Sequence, residues 1–200
     1  DVDISSGGHD PSYAFSISGD TDDFYIEAIA DVSTGYHSTA ALKSNRVFSH
    51  EDAATLSVTI KVVDPSGGEK AEDFDITIID INEAPEASGS SVSTVEDISM
   101  SITLQASDVD DGTTLSYIIA TLPSNGDLWY DGSKIETENY DLGDGSNVTY
   151  VPDLNYHGDD SFNFFVQDSG DGNLSSNMAT ISISVVSDND APYADSSSVS

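Results

Sequence analysis

The chain has 200 residues, of which 37 are acidic and 5 are basic, so its formal net charge at pH 7 is −32. This charge argues against nucleic acid and anionic membranes as partners, since both are bound through Lys and Arg, and it favours cations. The chain has no cysteine for a disulfide, and a metal ion is the usual substitute in a secreted domain. No apolar run approaches the roughly 18 residues of a membrane span. A high negative charge also suits a protein that only needs to stay soluble, so the positions of the carboxylates must decide between these interpretations.

Taken in chain order, the predicted elements are nearly all strands. Alternating, β-branched runs lie at 13–19, 23–30, 56–64 and 73–81 in the first half, and at 101–108, 114–122, 147–152, 161–168 and 179–187 in the second. In the last run, Ile181, Ile183 and Val185 are expected to face the core. About seven short antiparallel strands per hundred residues, separated by Gly, Asn and Pro turns, predict an all-β fold of immunoglobulin-like Greek-key β-sandwiches.

One segment occurs twice at a fixed spacing. "INEAPEASGSSVS" begins at Ile81 and "DNDAPYADSSSVS" begins at Asp188; aligning Ala84 with Ala191 sets an offset of 107 residues, with seven identities in the ten positions that follow from Ala84. The triplet at 1–3 recurs at 108–110 with the same offset. A constant period across the whole chain indicates tandem repeats.

The repeat predicts the domain organisation. The Ala-Pro segments are linkers, because proline closes the preceding strand. We predict a first domain at 1–86 that lacks its first strand, a second domain at 87–192, and the start of a third repeat at 193–200. The missing strand would leave an open sheet edge, which the tail of a neighbouring chain is expected to fill by strand addition. The alternative is that the first domain tolerates an exposed edge.

Acidic residues recur where segments of the two sandwiches are expected to converge. Ca²⁺ takes about six to eight oxygen ligands, which no short peptide can supply alone. The candidates are Glu51 before a strand, Asp80, Asn82 and Glu83 in the linker, Asp108 and Asp110 after a strand, and Asp168 at a strand end. In an extended Asp-x-Asp segment both carboxylates point to one face. The alternative is that these residues only form turns and caps, as they commonly do.

These motifs resemble those of the cadherin repeats. The cadherin linker Asp-x-Asn-Asp-Asn-x-Pro is matched at 80–85 and more weakly at 187–192, its Asp-x-Asp at 1–3 and 108–110, and its Asp-x-Glu at 49–51 without the Asp. Asp64 and Asp168 match the lone Asp that closes a strand, and Glu96 matches the glutamate of the first strand. The resemblance therefore implies further Ca²⁺ ligands at Asp1, Asp3, Asp64, Glu96, Asn189 and Asp190.

The second half is also similar to the bacterial cadherin-like repeats of very large surface proteins, whose long pattern fits from Val95 to Pro192. In that family such modules form calcium-stiffened extenders of secreted adhesins, including repeats-in-toxin adhesins. The resemblance implies two cadherin-like sandwiches joined by a short calcium-binding linker, located at the bacterial cell surface, with roles in adhesion and biofilms. Ser49, Ala84 and Ser187 depart from the motifs, so fewer ions are expected than the family usually holds. We expect His50 to be exposed rather than a ligand, because histidine is a poor partner for calcium.

The expected function is that of a non-catalytic extender whose partners are Ca²⁺ and neighbouring repeats of the same polypeptide. The alternative is a calcium-dependent module that binds a polysaccharide or a protein on a cell surface. Residues 30–48 resemble the elaborated loop of such a binder, and Trp129 and Tyr130 could stack on a sugar, although we expect them to cover the sandwich end. The four histidines are scattered through turns and no nucleophile motif is present, so an enzyme is the remote third hypothesis.

Overall fold

The structure is a computed structural model, and it describes residues 13–19, 22–30, 37–110 and 112–189. These residues form sixteen strands and no helix, which confirms the predicted all-β fold. The chain divides into two compact units between Ile81 and Asn82, called unit 1 and unit 2 below. Each unit is described by itself.

The described residues of unit 1 form five strands in two sheets. The strands are β1 (Ala14–Gly19), β2 (Phe24–Ala30), β3 (His37–Ser44), β4 (Thr55–Val63) and β5 (Glu69–Thr77). One sheet has the order β1-β4-β5 and the other is the pair β2-β3, and all pairings are antiparallel. The interpretation of 30–48 as an elaborated loop is wrong at 37–44, because this segment is β3 and pairs along the whole of β2.

The core of unit 1 is small. Phe24, Leu56 and Val58 are its buried apolar residues among those the structure describes. The ring of Phe24 stacks on Phe48, with 5.1 Å between centroids. Strand β5 ends at Thr77 rather than at residue 81 as predicted, because the chain beyond it makes no strand pairing and leaves Ile79 81% exposed.

Unit 2 contains eleven described strands. They are β6 (Glu86–Ser88), β7 (Ser90–Val95), β8 (Met100–Thr103), β9 (Gln105–Ser107), β10 (Ser116–Ile119), β11 (Gly126–Tyr130), β12 (Ser133–Lys134), β13 (Tyr140–Asp141), β14 (Asn147–Pro152), β15 (Gly158–Gln167) and β16 (Ala179–Val186). The sheets have the orders β13-β10-β15-β16-β7, β12-β11-β14-β8 and β6-β9. All pairings are antiparallel except the parallel pair β16-β7.

The core of unit 2 lies between its two larger sheets. Strand β16 alternates strictly between buried and exposed residues, and Ile181, Ile183 and Val185 face the core as predicted. Strands β14 and β15 alternate in the same way and bury Tyr150 and Phe164. Alternation of this kind on facing sheets is what defines a β-sandwich, so the predicted sandwich-type fold is confirmed.

Asp160 is one of three buried charged side chains in the described part of unit 2, beside Glu96 and Asp168. Asp160 accepts hydrogen bonds from the backbone N–H groups of Ser124, Asn125 and Ser161 and from the hydroxyl of Tyr150. Burial of Tyr150, together with its hydrogen bond to Asp160, raises the pKa of the phenol well above its ordinary value. A buried carboxylate is tolerated when its lone pairs are filled in this way, so this network fixes the 123–125 turn against β14 and β15.

Candidate metal centre

Five polar residues of unit 2 come from three separate segments, and hydrogen bonds join Asn82 to Asp168 and the Glu83 N–H to Asp110. Asn82 and Glu83 precede β6, Asp108 and Asp110 follow β9, and Asp168 follows β15. We call this set the unit 2 acidic cluster. The predicted ligands that belong to unit 2 and precede its last linker are therefore brought together, apart from Glu96.

Asp168 organises one side of the cluster. The carboxylate is 5% exposed, and its Oδ1 accepts hydrogen bonds from the N–H groups of Gly170 and Leu174 at 3.1 and 2.9 Å. Its Oδ2 accepts a hydrogen bond from Nδ2 of Asn82 at 2.9 Å. Asp168 therefore closes the turn after β15 with one oxygen and orients the linker amide with the other.

Gly170 is a part of this arrangement that sequence reasoning missed. A Cβ atom built on Gly170 would overlap the side-chain oxygen of Asn82. Any larger residue at 170 would displace the amide that Asp168 orients. The signal for it in the sequence is the Gly-rich turn pattern "DSGDGN" at 168–173.

Asp108 and Asp110 form the other side. Oδ2 of Asp110 accepts a hydrogen bond from the Glu83 N–H at 2.8 Å, and Oδ1 of Asp108 accepts one from the Asp110 N–H at 3.1 Å. The two carboxylates meet through this turn, and not through the extended geometry that we expected, because the segment after Ser107 has left the strand.

One oxygen of this pair has no hydrogen-bond partner. Oδ2 of Asp108 is buried and accepts no hydrogen bond. Leaving a buried polar group unsatisfied costs about 1–3 kcal/mol, and more for a charged group. A cation bound at this oxygen would remove that cost, and carboxylate and amide oxygens are the ligands that Ca²⁺ prefers. The donor set of the cluster therefore fits a calcium ion.

The basic residues of the chain do not neutralise the cluster. All five lie in the described part of the chain, and their ion pairs are Lys43 with Glu27, Arg46 with Asp23 and Asp52, Lys61 with Glu69, Lys70 with Glu72 and Lys134 with Asp127. None of these acids belongs to the cluster. No Lys or Arg side chain therefore forms an ion pair with the cluster.

Unit 1 has a smaller acidic group at its C-terminal end. One ligand atom each from His50, Glu51 and Asp80 lies within 4.8 Å of the others, and Nδ1 of His50 is 3.6 Å from Oδ2 of Asp80. The Ser49 hydroxyl donates a hydrogen bond to Glu51 and thereby lowers the pKa of that carboxyl. The expectation that His50 is exposed is wrong, because the residue is half-buried beside the two carboxylates.

Asp64 in unit 1 repeats the turn geometry of Asp168. Its Oδ1 accepts hydrogen bonds from the N–H groups of Ser66 and Gly68, both at 2.8 Å. Asp64 follows β4 and Asp168 follows β15, the second-to-last strand of each unit. Each residue thus accepts hydrogen bonds from the following loop with one carboxylate oxygen. For Asp64 the described contacts are those of a turn.

Glu96 lies at the other end of β16, away from the unit 2 acidic cluster. It is buried, its Oε1 accepts a hydrogen bond from the Asp188 N–H at 2.6 Å, and its Oε2 is 3.8 Å from Nδ1 of His157. The side chain of Asp188 in turn accepts a hydrogen bond from the Asn189 N–H. Glu96 and Asn189 are therefore close in the structure, whereas Asp1, Asp3, Asp190 and the tail at 193–200 lie outside the described residues.

Comparison with known proteins gives the family. Residues 82–184 match the bacterial Ig domain family, and this range is more than half of the chain. The chain belongs to the bacterial Ig domain family. No curated protein sequence matches the chain.

Solved structures that resemble this bacterial Ig domain chain are cadherin ectodomains. Protocadherin gamma C5 domains 1–3 give a TM-score of 0.54 at 17% identity, covering 88% of this chain and 56% of that one. Mouse cadherin-23 domains 22–24 give a TM-score of 0.52 at 18% identity, covering 88% of this chain and 53% of that one. Protocadherin gamma B2 domains 1–5 give a TM-score of 0.53 at 18% identity, covering 94% of this chain and 35% of that one. The chain thus spans between a third and just over half of these chains, and the likeness shows the fold alone. The predicted resemblance to bacterial cadherin-like repeats is confirmed.

The two aromatic residues of this bacterial Ig domain chain that could stack on a sugar, Trp129 and Tyr130, lie on β11. Trp129 lies on β11 opposite Lys134 and Thr149 and is 37% exposed, on the side away from the buried Leu128. Tyr130 donates a hydrogen bond to the carbonyl of Leu142. Trp129 and Tyr130 thus lie where β11 turns into β12, and their covering of the sandwich end stays a prediction. Across residues 13–19, 22–30, 37–110 and 112–189, no helix is long and apolar enough to cross a membrane.

Proposed function

We propose that this chain is a calcium-rigidified, non-catalytic extender of a bacterial cell-surface adhesin, secreted and exposed outside the cell. The observation that carries the proposal is the buried, unpartnered Oδ2 of Asp108 within a cluster that no Lys or Arg of the chain neutralises. A bound Ca²⁺ supplies the missing positive charge.

The ligands proposed for the ion or ions come from both units. Glu51 and Asp80 contribute from unit 1, and the unit 2 acidic cluster contributes the rest. Asp80 and Asn82 are separated by a single residue, so a calcium ion held by both fixes the chain where the units join. Glu96 and Asn189, with Asp190, are proposed to begin the same kind of site at the following linker, and Asp1, Asp3 and Asp64 to belong to a preceding one.

The proposed mechanism is mechanical and follows from charge. Without cations, each close carboxylate pair costs on the order of 1 kcal/mol in water and up to about 4 kcal/mol at a protein surface. Repulsion then favours separation of the carboxylates at the linker. Calcium replaces this repulsion with attraction, so the linker loses its freedom and successive repeats form a stiff stalk. The repeats-in-toxin type of adhesin is the proposed parent protein.

The alternative function is a calcium-dependent module that binds carbohydrate or protein. The sequence feature that favoured this alternative was an elaborated loop at 30–48. The regular strand β3 lies within this segment, which weakens the alternative. Trp129 remains the exposed aromatic residue that a sugar would contact. The extender is the better-supported function, because the polar features of the cluster are accounted for by an ion alone.

Calcium titration of matched variants tests the proposal. We expect calorimetry on the full chain to show uptake with a dissociation constant on the order of 10⁻⁴–10⁻³ M, the range of extracellular modules. Asp108→Asn should weaken binding about tenfold or more, because it removes the charge from the unpartnered oxygen. Asp144→Asn removes the same charge from an exposed turn and should leave the affinity unchanged.

Two results would count against this account. One is the absence of calcium uptake by the full chain at millimolar concentration. The other is an equal loss of affinity in Asp108→Asn and Asp144→Asn, which would mean that only the overall charge of the chain attracts the ion. Thermal unfolding with Mg²⁺ in place of Ca²⁺ separates a selective site from general screening.

A further inference from the structure

Strands β5 and β16 occupy corresponding places in the two units. The offset of 107 residues aligns Phe74 with Ile181 and Ile76 with Ile183. In unit 2, β16 pairs with β15 on one side and with the parallel strand β7 on the other. In unit 1, β5 pairs with β4, and no described residue pairs with its other edge. Within the described part of the chain, β5 is therefore an edge strand, whose backbone hydrogen-bonding groups can pair with another segment.

The apolar face of β5 is correspondingly uncovered. In unit 2, Ile181 and Ile183 are 0% and 2% exposed. In unit 1, Phe74 is 45% exposed and Ile76 is half-buried. Corresponding positions therefore bury their side chains only in the unit that has a strand in the place of β7.

The chain carries a second copy of the sequence that fills this place in unit 2. The first four residues of β7 read Ser-Ser-Val-Ser at 90–93, and the same four residues stand at 197–200. In β7 the side chain of Val92 packs against the core, while Ser91 on its other face is exposed. The repeat thus provides both an uncovered edge and a sequence that is known to pair with its counterpart.

We propose that the outer edge of β5 binds residues 197–200 of a second copy of this chain as a parallel strand. Transferring the register of β7 on β16 by the same offset pairs Ser197 with Phe74, Val199 with Ile76 and Ser200 with Thr77. Val199 then covers the apolar face of β5. The contact is independent of calcium, so it goes beyond the function proposed above.

Charge and symmetry set the character of this association. Strand β5 is acidic, but Asp73 and Asp75 receive hydrogen bonds from Thr59 and Ser57 on the face away from Phe74. Residues 196–200 carry no ionisable side chain, so the charge of β5 does not exclude them. The donor and acceptor surfaces differ, and a contact of this kind propagates from copy to copy into open chains. Four residues make a short strand, so each contact is weak.

Sedimentation of the full chain and two tail variants tests the proposal. Wild type should associate progressively with concentration, with calcium and with chelator alike. Val199→Asp should lower the association constant about tenfold or more, because it places a charge against Ile76. Ser198→Asn adds a polar, uncharged side chain on the predicted outer face beside Asp75 and should change the constant by less than about threefold.

A peptide of residues 87–97, ASGSSVSTVED, gives a second readout that does not depend on the tail. Added to isotope-labelled Val199→Asp chain, it should shift the amide resonances of Phe74–Thr77, and the same peptide with Asp in place of Val92 should not. A concentration-independent monomer, or association that Val199→Asp and Ser198→Asn reduce equally, would overturn the proposal. Amides of Phe74–Thr77 that are already protected from exchange in the dilute monomer would overturn it too, because the edge would then be filled by its own chain.

Discussion

Units 1 and 2 share the arrangement of three strands, β1-β4-β5 in one and β10-β15-β16 in the other. Their cores differ greatly. Sixteen apolar residues are buried together in unit 2, whereas the described part of unit 1 buries three. Part of the difference comes from the strands that precede β10, because β6, β8 and the residue between β8 and β9 add Ala87, Ile102 and Leu104 to the core of unit 2. No described strand of unit 1 occupies those places.

We therefore expect the same strand pattern to stabilise unit 1 less than unit 2, because fewer described strands of unit 1 enclose its core. Burial of apolar area contributes roughly 25 cal/mol per Å², and an uncovered strand loses most of that contribution. The strand partners of two corresponding residues, Ile183 of β16 and Ile76 of β5, also differ chemically. Ile183 is paired with Asp160 in unit 2, whereas Ile76 is paired with the buried Leu56 in unit 1. Unit 2 therefore contains a buried polar network that unit 1 lacks at that position.

The largest expected effect is a difference in unfolding free energy between alanine substitutions at corresponding positions of the two cores. Ile183→Ala should cost about 2–5 kcal/mol of unfolding free energy, because the residue is fully enclosed and leaves a cavity. Ile76→Ala should cost about 1 kcal/mol, since its side chain is only half-buried. Denaturant unfolding measures both, and the single Trp, Trp129, reports on unit 2. Equal losses at the two positions would break the comparison.

A smaller effect is expected from the polar network that only unit 2 contains. Tyr150→Phe removes a hydrogen bond to the buried Asp160 and should cost about 1–2 kcal/mol. The folded-state pKa of Tyr150 is raised, so the phenol stays protonated in the native state while the unfolded chain ionises above about pH 10. The unfolded state then binds fewer protons, and this share of stability is present below pH 10 and is lost as the pH rises.

Alkaline denaturation checks the sign of this linkage. The wild type should lose unfolding free energy above pH 10 more steeply than Tyr150→Phe. Tyr130→Phe is the control, because its hydroxyl bonds a backbone carbonyl and no carboxylate. If both variants follow the same alkaline slope as the wild type, Tyr150 is not the group responsible.

Much of the fold could be predicted from local pattern. The alternation in "ATISISVV" gave the correct inward face of β16, and the β-branched run at 147–152 coincides with β14. Strand β3 could not be recognised, because "HSTAALKS" has small residues and no alternation of large apolar side chains, and it is ordered by pairing with β2. Such a strand depends on tertiary partners rather than on local propensity.

The candidate site was predictable as a set of residues but not as a geometry. Spacing and the repeat pointed to Asp108, Asp110 and Asp168, while the need for Gly170 and the position of His50 beside Asp80 depend on how loops pack. The Tyr150–Asp160 pair was missed for the same reason: neither residue belongs to a motif, and their hydrogen bond depends on β14 and β15 facing each other across the core. Whether the acidic residues bind calcium stays a prediction.

Small-angle X-ray scattering of the chain with calcium and with chelator tests the central claim most directly. The Val199→Asp chain is the best sample, because it removes the association proposed for the tail, and Asp108→Asn in the same background is the control. We predict a longer and stiffer particle in calcium than in chelator, with the difference reduced by Asp108→Asn. Scattering profiles that coincide in calcium and in chelator would contradict the account.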